Sequence, residues 1–180
     1  MRTPRAPAAG ILPVVLCTLV LLVGGCGGGP TAPAWAASVC DALSPWRLEI
    51  DELTSSAQQQ MTAQTTPAQA KENLVRMMAG AERASEDARR GVAEAGVPDV
   101  SQGDLVSDGF LDSLTQVRDA YGRAKRSIEQ LDTGRPEPFY DGVEAAVDTL
   151  NKEYDASGLD TSKLNSPELK QAFDEVPECR

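Results

Sequence analysis

The sequence predicts an all-α fold, arranged as an up-down-up-down bundle of four long helices. Apolar residues recur at spacings of three and four over four long segments, as expected for amphipathic helices. No segment of the sequence alternates apolar and polar residues with the β-branched enrichment typical of a strand. Short polar loops separate the four segments, so successive helices are expected to lie antiparallel.

The first long helix is predicted to begin at Ser44 and Pro45, an N-cap residue followed by proline at the first helical position. A short helical turn is expected before it, over residues 38–43. The second helix is predicted to begin at Thr66 and Pro67, where Gln69 completes a capping box. The apolar stripes of the two helices are Trp46, Ile50, Leu53, Ala57 and Met61 in the first, and Leu74, Met77, Met78, Ala81, Ala84, Ala88, Val92 and Ala95 in the second.

The start of the third helix is ambiguous, because Asp99, Asp104 and Ser107 are each acceptable N-cap residues. An early start would place Gly109 inside the helix, at a cost of ~1 kcal/mol. From Phe110 to Leu131 the apolar spacing is regular, and this part of the helix is predicted without ambiguity.

The fourth helix is predicted to begin at Pro136 or Pro138 and to end around Gly158, since proline favours a first turn and glycine a helix end. Ser166 and Pro167 form a similar start signal further along the chain. They predict a last short helix, which ends before residue 177.

Residues 1–25 have the features of an export signal. Arg2 and Arg5 precede an apolar run from Ile11 to Val23, and small residues follow the run. The run is shorter than the ~20 residues that cross a bilayer. A retained signal anchor and a signal cleaved near Ala34 without lipid attachment are the two alternatives.

The stretch Leu21-Leu22-Val23-Gly24-Gly25-Cys26 resembles the lipobox of bacterial lipoproteins. The composition, rich in alanine and arginine and poor in lysine, is similar to that of small uncharacterised lipoproteins of high-GC Gram-positive bacteria. This resemblance implies cleavage before Cys26, a diacylglyceryl thioether on Cys26, and attachment to the extracytoplasmic face of the cell membrane. Two or three acyl chains anchor a protein durably, because each buried methylene contributes ~0.8 kcal/mol.

The resemblance divides the chain into a signal peptide (1–25), a lipidated cysteine with a flexible tether (26–37) and a helical bundle domain (38–180). The chain has a net charge of −10, and loss of the two signal arginines makes it more acidic. An acidic domain repels nucleic acid and anionic head groups. Contact of the bundle domain with the membrane is therefore expected through the lipid anchor. Trp35, in the tether, is expected either at the membrane interface or folded back onto the bundle.

With Cys17 in the signal and Cys26 carrying lipid, the resemblance leaves Cys40 and Cys179 for a disulfide in an oxidising exterior. An even number of antiparallel helices returns the chain to its starting end. The short helical segments 38–43 and 166–176 are therefore expected at the disulfide-linked end of the bundle.

The sequence predicts no catalytic, cofactor or metal site. The chain has no histidine, which excludes Cys–His nucleophiles and the Glu-x-x-His motif of di-iron bundles. Asp51 and Glu52 are candidate paired carboxylates only by proximity. Glu86 with Arg90 and Lys125 with Glu129 have i, i+4 spacing and predict surface ion pairs. The acidic residues on one face of the fourth helix, predicted to be solvated, are Glu137, Asp141, Glu144, Asp148 and Asp155.

These features favour a non-enzymatic binding or scaffolding module that is anchored to the membrane. The alternative is a carrier that holds an apolar small molecule or lipid within the bundle, with Met61, Met77 and Met78 lining an adaptable groove. Neither hypothesis needs a cofactor, and an envelope protein or an apolar ligand is the expected partner.

Overall fold

The computed structural model describes residues 28–158 and 166–179, and in these ranges every regular element is helical. The all-α prediction is therefore confirmed for the described part of the chain. The predicted signal peptide and Cys26 lie outside the described residues. The elements are α1 (Ala32–Gln60), α2 (Pro67–Glu94), α3 (Gly103–Glu129), α4 (Pro136–Ala156), α5 (Pro167–Glu175) and a 3-10 turn (Pro177–Cys179).

Helix α1 begins at Ala32 and passes through Pro45, so the predicted start at Ser44 is wrong. Residues 32–37 form the first turns of this helix, and the predicted flexible tether therefore does not extend to residue 37. Proline inside a helix costs ~3 kcal/mol, since it removes a backbone hydrogen bond. Burial of a long apolar face on both sides of the proline offsets this cost. The buried residues are Trp35, Ala36, Val39, Leu43 and Trp46.

Helix α2 begins as predicted, with a complete capping box. The Thr66 hydroxyl accepts a hydrogen bond from the Gln69 amide at 3.3 Å, and the Gln69 side chain accepts one from the Thr66 amide at 3.0 Å. Helix α3 begins at Gly103 after Gln102, whose φ of 59° is left-handed. None of the three predicted N-cap residues serves as the cap of α3.

Successive long helices pack antiparallel, as side-chain contacts along their length show. Helix α2 packs on α1 and α3, while α4 packs mainly on α3. Among the described residues, no Cα atom of α4 lies within 8 Å of one of α1. The contacting pairs are Leu53 with Gly80 and Ala42 with Gly91 between α1 and α2, Glu86 with Arg118 and Glu82 with Lys125 between α2 and α3, and Arg123 with Glu153 and Leu131 with Gly142 between α3 and α4.

The core follows most of the predicted apolar stripes. Trp46 is buried, and its indole N–H donates a hydrogen bond to the Ser85 hydroxyl at 3.1 Å. Ser85 in turn donates to the Ala81 carbonyl at 2.8 Å, so this buried polar pair is satisfied. Met61 is an exception, because α1 ends before it and its side chain is 37 % exposed.

The described helices include none that combines the length and the apolar character needed to cross a membrane.

Charged side chains join α2 to α3, with partners that differ from the predicted i, i+4 pairs. Glu86 accepts hydrogen bonds from Arg89 at 2.7 Å and from Arg118 at 2.8 Å, rather than from Arg90. Lys125 reaches across to Glu82 at 2.9 Å rather than pairing with Glu129. Hydrogen bonds from Arg89 first, and then from Arg118, lower the pKa of Glu86 from 4.5 to about 2.

Replacing Glu86 with glutamine is expected to destabilise the fold in a pH-dependent way. The folded-state pKa is below the ordinary value, so the carboxylate stabilises the fold above pH 4.5, and this contribution is lost as the pH falls toward 2. The side chain is 33 % exposed, so solvent screening limits the expected loss at pH 7 to about 1 kcal/mol. Urea unfolding should show less than about half of that loss at pH 3.

The matched control is Asp87→Asn on the same helix. Both side chains of its ion pair with Arg90 are exposed, so this change is expected to lower the free energy of unfolding by a few tenths of a kcal/mol at most. An equal loss of stability for Glu86→Gln at pH 7 and pH 3 would contradict the prediction.

Candidate functional site at the disulfide-linked end

A disulfide joins Cys40 of α1 to Cys179 of the C-terminal 3-10 turn, with the two Cα atoms 5.0 Å apart. The predicted pairing is present in the structure. Cys40 is buried, and both α5 and the 3-10 turn pack on α1. The bridge therefore fastens the 3-10 turn to α1, across a sequence separation of 139 residues.

Three aromatic side chains from three helices meet at the same end of the molecule. Trp35 of α1 contacts Phe110 of α3 and Phe173 of α5 edge-on, with ring centroids 5.4 and 6.0 Å apart. The rings of Phe110 and Phe173 stack at 5.9 Å. Trp35 is fully buried, so the alternative in which it folds back onto the helical body is the one observed.

Trp35 also fixes the loop between α2 and α3. Its indole N–H donates a hydrogen bond to the Gly96 carbonyl at 2.8 Å, and Ser107 donates to the same oxygen at 3.2 Å. Gly96 follows α2 with a φ of 72°, a conformation that glycine adopts without strain. The loop is therefore tied to both α1 and α3 through one carbonyl group.

The segment from Gly28 to Thr31, which precedes α1, lies against this loop. The Asp99 amide donates a hydrogen bond to the Pro30 carbonyl at 2.8 Å. A Cβ atom on Gly29 would collide with the Val97 carbonyl oxygen, so only glycine fits at this close approach. Residues 28–31, predicted as part of a flexible tether, are instead docked on the helical body.

Two large apolar side chains lie exposed near the end of α2 and the start of α3, and one of them, Val97, belongs to a residue that contacts the docked segment. Val97 is 47 % exposed in the loop, and Leu105 is 62 % exposed in the first turn of α3. Pro98, between them in sequence, is buried and contacts Gly103 through its carbonyl group. These two exposed residues were not predictable from sequence, because they belong to a loop and a helix start without periodicity.

The other predicted site residues do not converge on a common site. Asp51 and Glu52 are exposed, and so are all five acidic residues of the α4 face. Met78 is fully buried in the core, whereas Met61 lies exposed beyond the end of α1, so the methionines do not line a shared groove. Within the described ranges, no group of three or more metal-ligating side chains is placed to hold a metal ion.

The space between α3 and α4 forms an open groove of about 510 Å³. The small residues Ala120, Ala124 and Gly142 are part of its lining. Arg123 and Glu153, an ion pair with 3.0 Å between Nε and Oε1, also line it. Small apolar groups together with charged side chains suit a polar or peptide-like partner better than a wholly apolar one.

No protein-family model, curated protein or solved structure matches this chain. The proposed function therefore depends on the residues and geometry of the chain itself.

Proposed function

We propose that this protein is a membrane-anchored lipoprotein that acts as a non-enzymatic binding or scaffolding module on the extracytoplasmic face of the cell membrane. The observation that carries this proposal is the Cys40–Cys179 disulfide. Structural disulfides persist in oxidising compartments outside the cytoplasm. The proposed export signal and the Cys26 lipobox would bring the protein to such a compartment. The docked segment at Gly28 supports it further, since only one residue of sequence separates Cys26 from this segment, which lies at the disulfide-linked end.

The proposed module is a long body with two distinct ends. Helix α2 has 28 residues, which corresponds to a length of ~42 Å at 1.5 Å per residue. In this proposal the anchor lies at the disulfide-linked end of the body, and the loops 61–66 and 130–135 lie at the far end. The α3–α4 groove extends toward that far end, where its lining includes Gln130 and Leu131. In this proposal the far end and the groove present the surface for an envelope partner.

The proposal includes an up-down-up-down four-helix bundle as the architecture of the body. The antiparallel helix pairs support it, as does a core that includes Ala146 and Leu150 of α4 together with Trp46 of α1. The charge of Arg47 on α1 interacts electrostatically with Tyr154 on α4. Burial raises the pKa of Tyr154, and the Arg47 charge partly opposes this rise. Side-chain nuclear Overhauser effects between α1 and α4 would support a closed bundle.

The carrier alternative has weaker support than the binding module. Large side chains such as Trp35, Met78 and Phe139 are fully buried and fill the space between the helices. The α3–α4 groove is open and bordered by charged side chains, whereas sites for apolar ligands are enclosed and mostly apolar.

The lipid anchor is tested by Cys26→Ser, which we expect to release the protein from the membrane. Wild-type protein should sediment with membranes and carry a diacylglyceryl mass on Cys26, whereas roughly nine-tenths of the variant should lack this mass and stay in the soluble fraction. Cys17→Ser, inside the signal, is the matched control and should leave the lipid in place. Unmodified Cys26 in the wild-type protein would refute the anchor.

A further inference from the structure

We propose that the disulfide-linked end of the protein rests directly on the lipid bilayer, with Val97 and Leu105 in contact with the membrane surface. This inference rests on the proposed lipidation of Cys26. It differs from the expectation of a freely tethered domain, because it specifies which surface of the body contacts the lipid.

The first support is the short distance between the anchor and the folded body. Gly28 belongs to the docked segment, which the hydrogen bond between Asp99 and Pro30 holds on the α2–α3 loop. Two residues of extended chain from Cys26 span at most ~7 Å. The headgroup layer on one side of a bilayer is ~6 Å thick, so acyl chains inserted in the core bring this loop to the headgroups.

The second support is the apolar character of the surface that the anchor would bring there. Val97, 47 % exposed, lies in the loop on which the docked segment lies, and Leu105, 62 % exposed, lies in the first turn of α3 directly after that loop. Val97 itself contacts that segment, through its carbonyl oxygen at Gly29. Apolar side chains gain free energy when they move from water into the boundary between headgroups and acyl chains.

Nearby charges set the lipid preference of this contact. Asp99, Asp104 and Asp108 are exposed around the same loop, and carboxylates are repelled by anionic headgroups. The contact is therefore expected to be closer on zwitterionic lipid than on anionic lipid. With this end on the membrane, the far end of α2 lies up to ~40 Å from the surface, where a partner can reach it.

Depth-dependent quenching tests the inference on the lipidated protein in phosphatidylcholine vesicles. The variant Leu105→Trp should be quenched by spin-labelled lipids about twofold or more above the wild-type background, because doxyl groups near the headgroups lie within reach. Met61→Trp, at the far end, is the matched control and should show no added quenching. A glycine-serine spacer of about 12 residues inserted before Gly28 should abolish the difference, since it frees the loop from the surface.

Hydrogen exchange on the lipidated protein, with and without the spacer, gives a second measurement that needs no side-chain substitution. Amides in residues 97–105 should exchange about fivefold more slowly on vesicles than in the spacer protein, because lipid contact restrains local opening. Equal quenching at positions 105 and 61, or equal exchange with and without the spacer, would overturn the inference while leaving the anchor intact. Absence of lipid on Cys26 would instead refute the anchor itself, as mass spectrometry of the same sample shows.

Discussion

Removal of the Cys40–Cys179 disulfide is expected to lower the free energy of unfolding by about 5 kcal/mol. The bridge closes a loop with a sequence separation of 139 residues, and the chain-entropy relation gives ~5 kcal/mol for a loop of this size. Domains of this size are stable by only ~5–15 kcal/mol. The loss is therefore a third or more of the whole stability, and the unlinked protein should unfold at a much lower urea concentration.

The measurement is urea unfolding of the double variant Cys40→Ala/Cys179→Ala, followed by circular dichroism. Reduced wild-type protein is the control, since it lacks the covalent link but keeps both side chains. The two should unfold at similar urea concentrations, because Cys→Ala removes only one buried sulfur atom at Cys40. A double variant as stable as the oxidised wild-type protein would contradict an entropic role for the bridge.

Helix starts that depend on neighbouring residues were predictable from sequence. Thr66 and Gln69 satisfy each other's backbone amides within one turn, and Ser166 accepts a hydrogen bond from the Leu169 amide at the start of α5. These contacts span three residues, so the local sequence contains all the information that determines them. Both predicted starts are confirmed for that reason.

The start of α1 was not predictable in the same way, because distant residues determine it. Ser44 and Pro45 are a valid start signal, but the face before them packs Trp35 against Phe110 and Phe173. No local pattern encodes this contact, since its partners lie on α3 and α5. Tertiary burial therefore overrides the propensity of proline to begin a helix.

The candidate site also combines a feature that was predictable from sequence with one that was not. The Cys40–Cys179 pair was predictable because the resemblance to lipoproteins assigns Cys17 to the signal and Cys26 to the lipid, which leaves one pairing. The docking of residues 28–31 did not follow, because carbonyl groups of Pro30 and Val97 make the contacts. Contacts made by backbone atoms do not depend on particular side chains, so the sequence does not reveal them. A glycine-rich segment has the same composition whether it is free or docked.

Replacing Trp35 with alanine is expected to lower the free energy of unfolding by about 4 kcal/mol. The side chain is fully buried, and truncation of a buried tryptophan to alanine costs ~3–5 kcal/mol through lost burial and a residual cavity. The change also removes the indole donor to the Gly96 carbonyl. Far-UV circular dichroism in urea is the appropriate measurement, since tryptophan fluorescence changes with the substitution itself.

Two variants separate the contributions of Trp35. Trp35→Phe keeps an aromatic ring near Phe110 and Phe173 but loses the hydrogen bond to Gly96, so a smaller loss of about 1–2 kcal/mol is expected. Leu48→Ala, on the same helix at a site 70 % exposed, should cost less than about 0.5 kcal/mol. If Trp35→Ala were no more destabilising than Leu48→Ala, the aromatic cluster would not hold the ends of α1, α3 and α5 together. The loop that carries Val97 would then need another source of rigidity, and the case for a fixed membrane-facing surface would weaken with it.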